Sequence, residues 1–494
     1  MSTSRTRTFY RRYRFEIISF VVGAVELTLE LTASRVAAPY IGLTIYVWTS
    51  VIGVILAALA LGYLLGGRLA DKRKDPLDVV FLLLGAAVLI GFMNAVKDPL
   101  LTSLSGWSFL PSQLQALLAS CVLFAAPTIV LGAVTPYLAR LSVIDVATSG
   151  THVSRINAAG TFGALFGTFF TGFFLFTLVG TRNILALLGF TLVLMSFGLA
   201  LPKQNKMRWL LVGLALLVLF VPSKLHLNGV RKDFDTAYNR YIIRETPEIR
   251  VLQGDKSAWE SGIYKDERKG PLFPYIKTFV AAAALPERPR NYLVIGGGAF
   301  TLPTLLAQSQ PQATVDVVEI DKALQSISEQ YFRFKPSLNI HVFTQDGRQY
   351  LNNNHKKYDV IYMDAFSNST PPFQLLTQET NERLRASLAP GGVVAVNIVS
   401  KTAGTGAVFV SSVAQTYQHA FIDVRLFRIT DAPAAELQNV LLLASQESLA
   451  PKIAAASQNS VLAAATHNEL SVSNGGRVLR DDFAPVEQMV AWQE

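Results

Sequence analysis

Three glycines, Gly296-Gly297-Gly298, close the apolar run Tyr292-Leu293-Val294-Ile295. Glycines at a strand end permit a tight strand-to-helix turn and let a ligand approach the backbone closely. Three acids follow in order. Glu319 stands in Glu319-Ile320-Asp321, Asp346 in Gln345-Asp346-Gly347, and Asp364 ends the run Asp359-Val360-Ile361-Tyr362-Met363. Each acid closes a strand-like segment, and ligands of open parallel sheets bind beyond the carboxyl ends of the strands. An acid after the second strand can accept hydrogen bonds from ribose hydroxyls. Asp346 can face an adenine amino group, and Asp364 stands at the C-terminal end of the fourth strand. Taken singly, each acid reads equally well as a loop or helix-cap residue. The ordered set is what points to a nucleoside site. Thr301 stands where a dinucleotide fingerprint would have its third glycine.

Strand and helix patterns alternate around these residues. Apolar strands are expected at Tyr292–Gly296, Thr314–Ile320, Asn339–Phe343, Tyr358–Asp364, Val393–Ile398, Ile422–Phe427 and Asn439–Ala444. Helical segments lie between most of them, the pattern of βαβ units on a parallel sheet. Shorter β-rich runs, Arg240–Arg244 and Ile249–Gln253, come before.

The first part of the chain is of another kind. Of 494 residues, 51% are hydrophobic and 16% charged, too little charge for a plain soluble enzyme. The net charge of +9 lies wholly before Ser223: 17 Lys and Arg against 8 Asp and Glu up to Pro222, and 27 against 27 beyond. That excess sits among apolar runs and reads as membrane topology rather than nucleic-acid binding. Seven apolar stretches approach the length of a membrane span, near 15–38, 46–69, 77–97, 114–138, 156–179, 182–201 and a short last one at 208–222. Alternate loops carry 14 basic residues on one side and 2 on the other, which puts the N-terminus in the cytoplasm. An odd number of spans would place the C-terminal domain outside, and an even number inside. Gly62 and Gly66 form a G-x-x-x-G pair, as do Gly163 and Gly167 with Gly160 on the same face, suited to close helix packing. Glu26 and Glu30 share one helix face, with Arg35 near the end of the same span. They read as an ion pair of Glu30 with Arg35 or another span's basic residue, as a transport or proton-linked feature, or as the mark of a misplaced span boundary. The single cysteine, Cys121, excludes an intramolecular disulfide, and His152 and His341 show no partners at metal spacing.

From about Val251 to Ser445 the sequence resembles the spermidine synthase family of polyamine aminopropyltransferases. The matching pieces are Ile295-Gly296-Gly297-Gly298, Val318-Glu319-Ile320-Asp321, Asp346-Gly347, Tyr358-Asp359-Val360-Ile361, Asp364 and Leu388-Ala389-Pro390-Gly391-Gly392. Phe273-Pro274-Tyr275 and Asp481-Asp482-Phe483-Ala484-Pro485-Val486-Glu487 are also similar. The N-terminal part looks like the span region of membrane-fused members, through Glu30 to Arg35, Pro39-Tyr40-Ile41-Gly42, Tyr46-Val47-Trp48 and Gly62-Tyr63 through Asp71. The resemblance implies an α-helical membrane bundle over 1–222 and a small β subdomain over 223–285. A Rossmann-like, S-adenosylmethionine-type methyltransferase fold would follow over 286–494. It implies decarboxylated S-adenosylmethionine or S-adenosylmethionine as donor, an amine acceptor, no metal, a bacterial-type inner or plasma membrane and a homodimer. Gly296, Gly297, Gly298, Glu319, Asp346 and Gly347 would hold the nucleoside, and Asp364 would orient and deprotonate the amine. Polyamines are cations, so further carboxylates should line the pocket, with Glu260, Asp266 and Glu267 as candidates. Tyr264 and Tyr275 are candidates for its walls.

Three departures bear on the reaction. The family usually has an acid directly after the glycines to hold the donor's ammonium, whereas Ala299-Phe300 stands here. Trp259-Glu260-Ser261 stands where a glutamine is usual, and Asp364 is followed by Ala365-Phe366-Ser367-Asn368 rather than Ser/Thr-Asp-Pro. Aminopropyl transfer, methyl transfer and a transporter or sensor with a non-catalytic domain therefore all remain open. A domain outside the membrane would also face away from adenosyl sulfonium donors made in the cytoplasm.

Overall fold

The computed structural model describes residues 2–42, 44–107, 109–143, 145–199, 206–219, 230–236, 238–254, 259–365, 372–456, 463, 468–471 and 475–491. The chain divides into two compact units, one of residues 1–227 with 234–239, the other of 228–233 with 240–494.

The first unit is helical. Its elements are α1 (Ser2–Ile41), α2 (Ile45–Lys72), α3 (Pro76–Ser105), α4 (Ser112–Gly132), α5 (Val134–Ser142) and α6 (Ser149–Phe170). A π turn at Thr171–Leu175 then leads to α7 (Phe176–Leu178), followed by α8 (Thr181–Ser196) and α9 (Lys206–Leu219). Local chemistry sets several starts. The Thr44 hydroxyl accepts from Val47 N at 3.4 Å at the head of α2. Asp75 accepts from Leu77 N at 2.9 Å, with Pro76 in the first turn of α3. Among the described residues, five helical stretches are long and apolar enough to cross a membrane: Tyr13–Ile41, Ile45–Lys72, Pro76–Ser105, Gln113–Ser142 and Val146–Leu178.

The sixth and seventh expected spans form shorter helices. Those of α8 and α9 have 16 and 14 residues. At 1.5 Å per residue they reach about 24 and 21 Å, short of the hydrocarbon core. Residues 220–222 of the seventh stretch, and the expected boundary at 222/223, lie outside the described residues.

Glycines draw the helices together. A Cβ on Gly163 or Gly167 would overlap the carbonyls of Phe20 and Ala24 of α1, and one on Gly62 or Gly66 would overlap those of Ile129 and Ala133. Both G-x-x-x-G pairs are thus backbone-to-backbone contacts within the bundle.

The second unit holds two sheets. Strands β1 (Val230–Asp235), β2 (Arg240–Glu245), β3 (Ile249–Gln253) and β4 (Trp259–Tyr264) form a four-stranded sheet in that order. β2, β3 and β4 pair antiparallel. Helix α10 (Pro274–Ala282) leads to the larger sheet. Its parallel part contains β5 (Asn291–Ile295), β6 (Thr314–Glu319), β7 (Ile340–Thr344), β8 (Tyr358–Met363) and β9 (Leu388–Ser400). Between them lie α11 (Thr301–Ser309), α12 (Lys322–Tyr331), α13 (Gly347–Asn353) and α14 (Gln378–Ser387). Helix α15 (Ala407–Gln418) precedes β10 (Asp423–Arg428) and β11 (Gln438–Ser445), then come α16 (Leu449–Ala456), β12 (Glu469–Leu470) and α17 (Val486–Ala491). The strand order is β12-β10-β11-β9-β8-β5-β6-β7.

β5 pairs parallel with both β6 and β8, so the chain reverses its direction of travel across the sheet there. This is a methyltransferase-like α/β fold, and its switch point lies at the end of β5. The sheet is mixed rather than wholly parallel: β11 runs antiparallel to β9 and β10, and β12 antiparallel to β10. Residues 429–437 between β10 and β11 contain no helix and are too few for a crossover, so the pair must be antiparallel. All seven expected strands of this sheet form, and β12 is added. The core of β5 is sealed, with Tyr292, Leu293, Val294 and Ile295 at most 1% exposed.

Candidate functional site

The glycine turn follows β5 directly. Gly296 has φ +97° and Gly298 φ +51°, both in the region that favours glycine. A Cβ on Gly296 would overlap the Asp364 carbonyl, so the turn is held against the end of β8. Asp364 N donates to Ile295 O at 2.8 Å from the other side. Phe300, the first residue before α11, is left-handed at φ +56°. Its fully buried ring pairs with Phe334 at 4.5 Å, which offsets the strain of that backbone. Ala299, also fully buried, offers no charge to the site.

Glu319 ends β6 and is 8% exposed. One carboxylate oxygen accepts from Gly297 N at 2.8 Å and Gly298 N at 3.3 Å, the other from Asp321 N at 2.9 Å. Burial pushes its carboxyl up, and these three N–H donors pull it back. The acid therefore fixes the glycine turn. Asp321 caps α12 by accepting from Ala323 N at 3.0 Å. Asp346 caps α13 through Gln349 N at 3.0 Å, and Gly347 packs tightly against Ile295. Asp346 is thus a helix cap at a strand end, which combines the two readings open from sequence.

Asp364 lies just past β8 and is partly buried. Tyr275 Oη donates to its Oδ2 at 3.2 Å, and Asn397 Nδ2 donates to its Oδ1 at 3.0 Å. Asn397 Oδ1 in turn accepts from Asn439 Nδ2 at 2.9 Å. Burial raises the Asp364 carboxyl to about 7, against the lowering effect of Asn397 and Tyr275. Tyr275 is pushed well above its ordinary value by burial, by the Asp364 charge and by Glu260. A carboxyl poised near neutrality, with both oxygens oriented, can bind an ammonium and take a proton from it.

The remaining expected residues divide. Tyr275 reaches Asp364, and Glu260 lies within electrostatic reach of Tyr275. The Glu260 carboxylate packs on Gly254, while its neighbour Ser261 faces Gly298 at 3.8 Å from the position of an added Cβ. Tyr264 instead lies beneath Lys269, whose Nζ is 5.4 Å from the ring centre. Asp266 pairs with Arg268 at 2.9 Å and Glu267 with Arg333 at 3.2 Å, so both are engaged in exposed ion pairs. Phe366, Ser367 and Asn368 lie outside the described residues. Among the described residues no group of three or more His, Cys, Asp or Glu could hold a metal.

Sequence reasoning missed Asn397 and Asn439. The available signal was one amide inside an otherwise apolar strand: Asn397 is 4% exposed between Val396 and Ile398. A buried amide has to find partners.

Residues 275–449 match the spermine/spermidine synthase domain model. A polyamine aminopropyltransferase of Vibrio vulnificus is 30% identical over 192 residues, covering 37% of this chain and 64% of that protein. A human eEF1A lysine and N-terminal methyltransferase is 30% identical over 132 residues, covering 24% of this chain and 19% of that one. The chain thus spans less than two thirds of the length of either relative. A crystal structure of a probable spermidine synthase from Corynebacterium glutamicum is 19% identical, with a TM-score of 0.41, over 51% of this chain and 97% of that one. Over this C-terminal region, the chain is similar to proteins of the spermidine synthase family.

Proposed function

We propose that the chain is a membrane-bound aminopropyltransferase, moving an aminopropyl group from decarboxylated S-adenosylmethionine to a polyamine or related amine. The observation that carries this reading is the Asp364 carboxyl, oriented by Tyr275 and Asn397 and balanced near neutrality beside the glycine turn. Glu319, with Gly296–Gly298, would hold the nucleoside, its carboxylate exchanging backbone partners for ribose hydroxyls. Asp346 and Gly347 would face the base. The acceptor nitrogen forms a bond to the aminopropyl carbon as the carbon–sulfur bond breaks. The sulfur leaves as a neutral thioether, and the proton shed by nitrogen passes to Asp364. Tyr275 and Glu260 would line the acceptor side, and Tyr264 would stand further out.

The helical unit is read as the membrane part with the N-terminus in the cytoplasm; five long apolar helices supply spans, and the short α8 and α9 decide on which side the C-terminal domain lies. The three-part division at 222/223 and 285/286 is proposed with it. An S-adenosylmethionine-dependent methyl transfer is the second reading. Buried Ala299, where an acid would hold an aminopropyl ammonium, favours it.

Product identity decides between them. The protein in detergent is given each donor with mixed amines, and the spent nucleoside is read by mass spectrometry. Methylthioadenosine with a lengthened amine supports the first reading. S-adenosylhomocysteine with a methylated amine supports the second, and turnover of neither donor overturns both.

A further inference from the structure

The helical unit buries an acid that the proposed transfer does not use. Glu26 of α1 is 9% exposed, and its Oε1 is buried without a hydrogen-bond partner. The ion pairs of the described helices, Arg73–Asp78, Lys97–Asp98, Arg140–Asp71 and Arg155–Glu16, do not include it. Arg35 is directed to Thr236 O at 3.1 Å and to the Phe176 ring at 4.0 Å.

Helices α2, α3, α4, α5, α6 and α8 pack against α1. Among the described residues of these helices, the Tyr63 phenol of α2 lies within electrostatic reach of Glu26. Glu30 is the next acid on the same face of α1. One turn before Glu26, a Cβ on Gly23 would overlap the Gly160 carbonyl of α6.

An isolated carboxylate inside a membrane bundle costs several kcal/mol. Acids kept for structure in this unit have donors: Asp78 accepts from Tyr137 Oη at 2.8 Å. Among the described residues Glu26 has neither donor nor counter-charge, so it is tolerable in its neutral, protonated form. Nearby, Thr171 Oγ1 donates to Thr28 Oγ1 at 2.9 Å, where the π turn of Thr171–Leu175 begins. Such π turns inside helices are frequent at functional sites.

We propose that Glu26 is a proton-exchange site, taking up and releasing a proton within the helical unit. This rests on reading the helices as membrane spans and is independent of the transferase reading. The test uses membranes containing the full chain. Carbonate washing comes first. Loss of the protein to the supernatant overturns the span reading and, with it, the proposal.

Washed membranes are then treated with dicyclohexylcarbodiimide, which couples to protonated carboxyls in apolar surroundings, across a pH series. Adducts are located by peptide mass spectrometry. The expected result is a Glu26 adduct that declines about tenfold per pH unit above its midpoint. It should be lost in Glu26→Gln and kept in Glu30→Gln. An adduct constant across the series marks a permanently neutral structural acid and overturns the proposal, as does no Glu26 adduct in protein retained by the membrane. If Glu26→Gln does not accumulate, the wild-type pH series decides alone.

Discussion

Asp364 and Glu319 of the α/β unit and Glu26 of the helical unit are buried carboxyls treated in opposite ways. In the α/β unit Asp364 receives a hydrogen bond on each oxygen and Glu319 receives three from backbone N–H groups. In the helical unit Glu26 Oε1 receives none. Donors fix where a carboxylate points and hold down its proton affinity; without them, the charge itself is what burial opposes. The glycines differ in the same sense. Gly296 uses a positive φ to open a turn, whereas Gly163 and Gly167 are helical and bring two backbones together. One unit uses these residues to shape a site, the other to close a bundle.

The largest test of this contrast is Asp364→Asn. It should lower turnover by about 10²–10⁴-fold while nucleoside affinity, read by calorimetry, stays within about twofold. The same change should stabilise the α/β unit. A carboxyl raised from 3.8 to about 7 adds stability fully below pH 3.8 and loses it as pH rises through about 7. The variant's advantage in unfolding free energy should therefore grow over that window and reach about 1–4 kcal/mol above it. No gain at high pH would show that Asp364 ionises in the fold without penalty.

Gly163→Leu comes next. Its side chain would meet the Phe20 carbonyl of α1 and should cost about 3 kcal/mol or more, seen as loss of folded protein in detergent while isolated nucleoside binding is unaffected where protein survives. Gly296→Ala should cost about 1–3 kcal/mol from its φ of +97° alone and weaken nucleoside binding as well. If both glycine variants lost only stability, the difference drawn between the two kinds of glycine would fail.

Glu319→Gln should loosen the turn, because its amide cannot accept from Asp321 N and the glycine N–H groups together. Nucleoside affinity should fall about tenfold, equivalent to about 1.4 kcal/mol. The smallest effect is expected from Tyr275→Phe. Its hydroxyl lowers the Asp364 carboxyl, so removal should move the acid limb of the kcat/KM profile upward from about 7 by about half a unit to one unit. A profile unchanged in position would detach Tyr275 from Asp364.

Much of the α/β unit could be read directly from the chain. Strand periodicity, the glycine triplet after β5 and acids at successive strand ends are local features, and local backbone preference is written in neighbouring residues. So was the apolar, basic character of the first unit. What lay beyond sequence reading was what distant residues do to one another. Tyr275 and Asp364 are 89 positions apart and Asn397 and Asp364 are 33 apart, so only the sheet brings donors to that carboxyl. Tertiary packing likewise assigned Asp266 and Glu267 to exposed ion pairs and placed Tyr264 under Lys269. It also left Glu26 without a donor among the described residues. The sequence determined which groups were available, because residue type and local spacing set each group's chemistry. The tertiary structure decided which were paired and which were not, because desolvation and hydrogen bonding depend on neighbours in space.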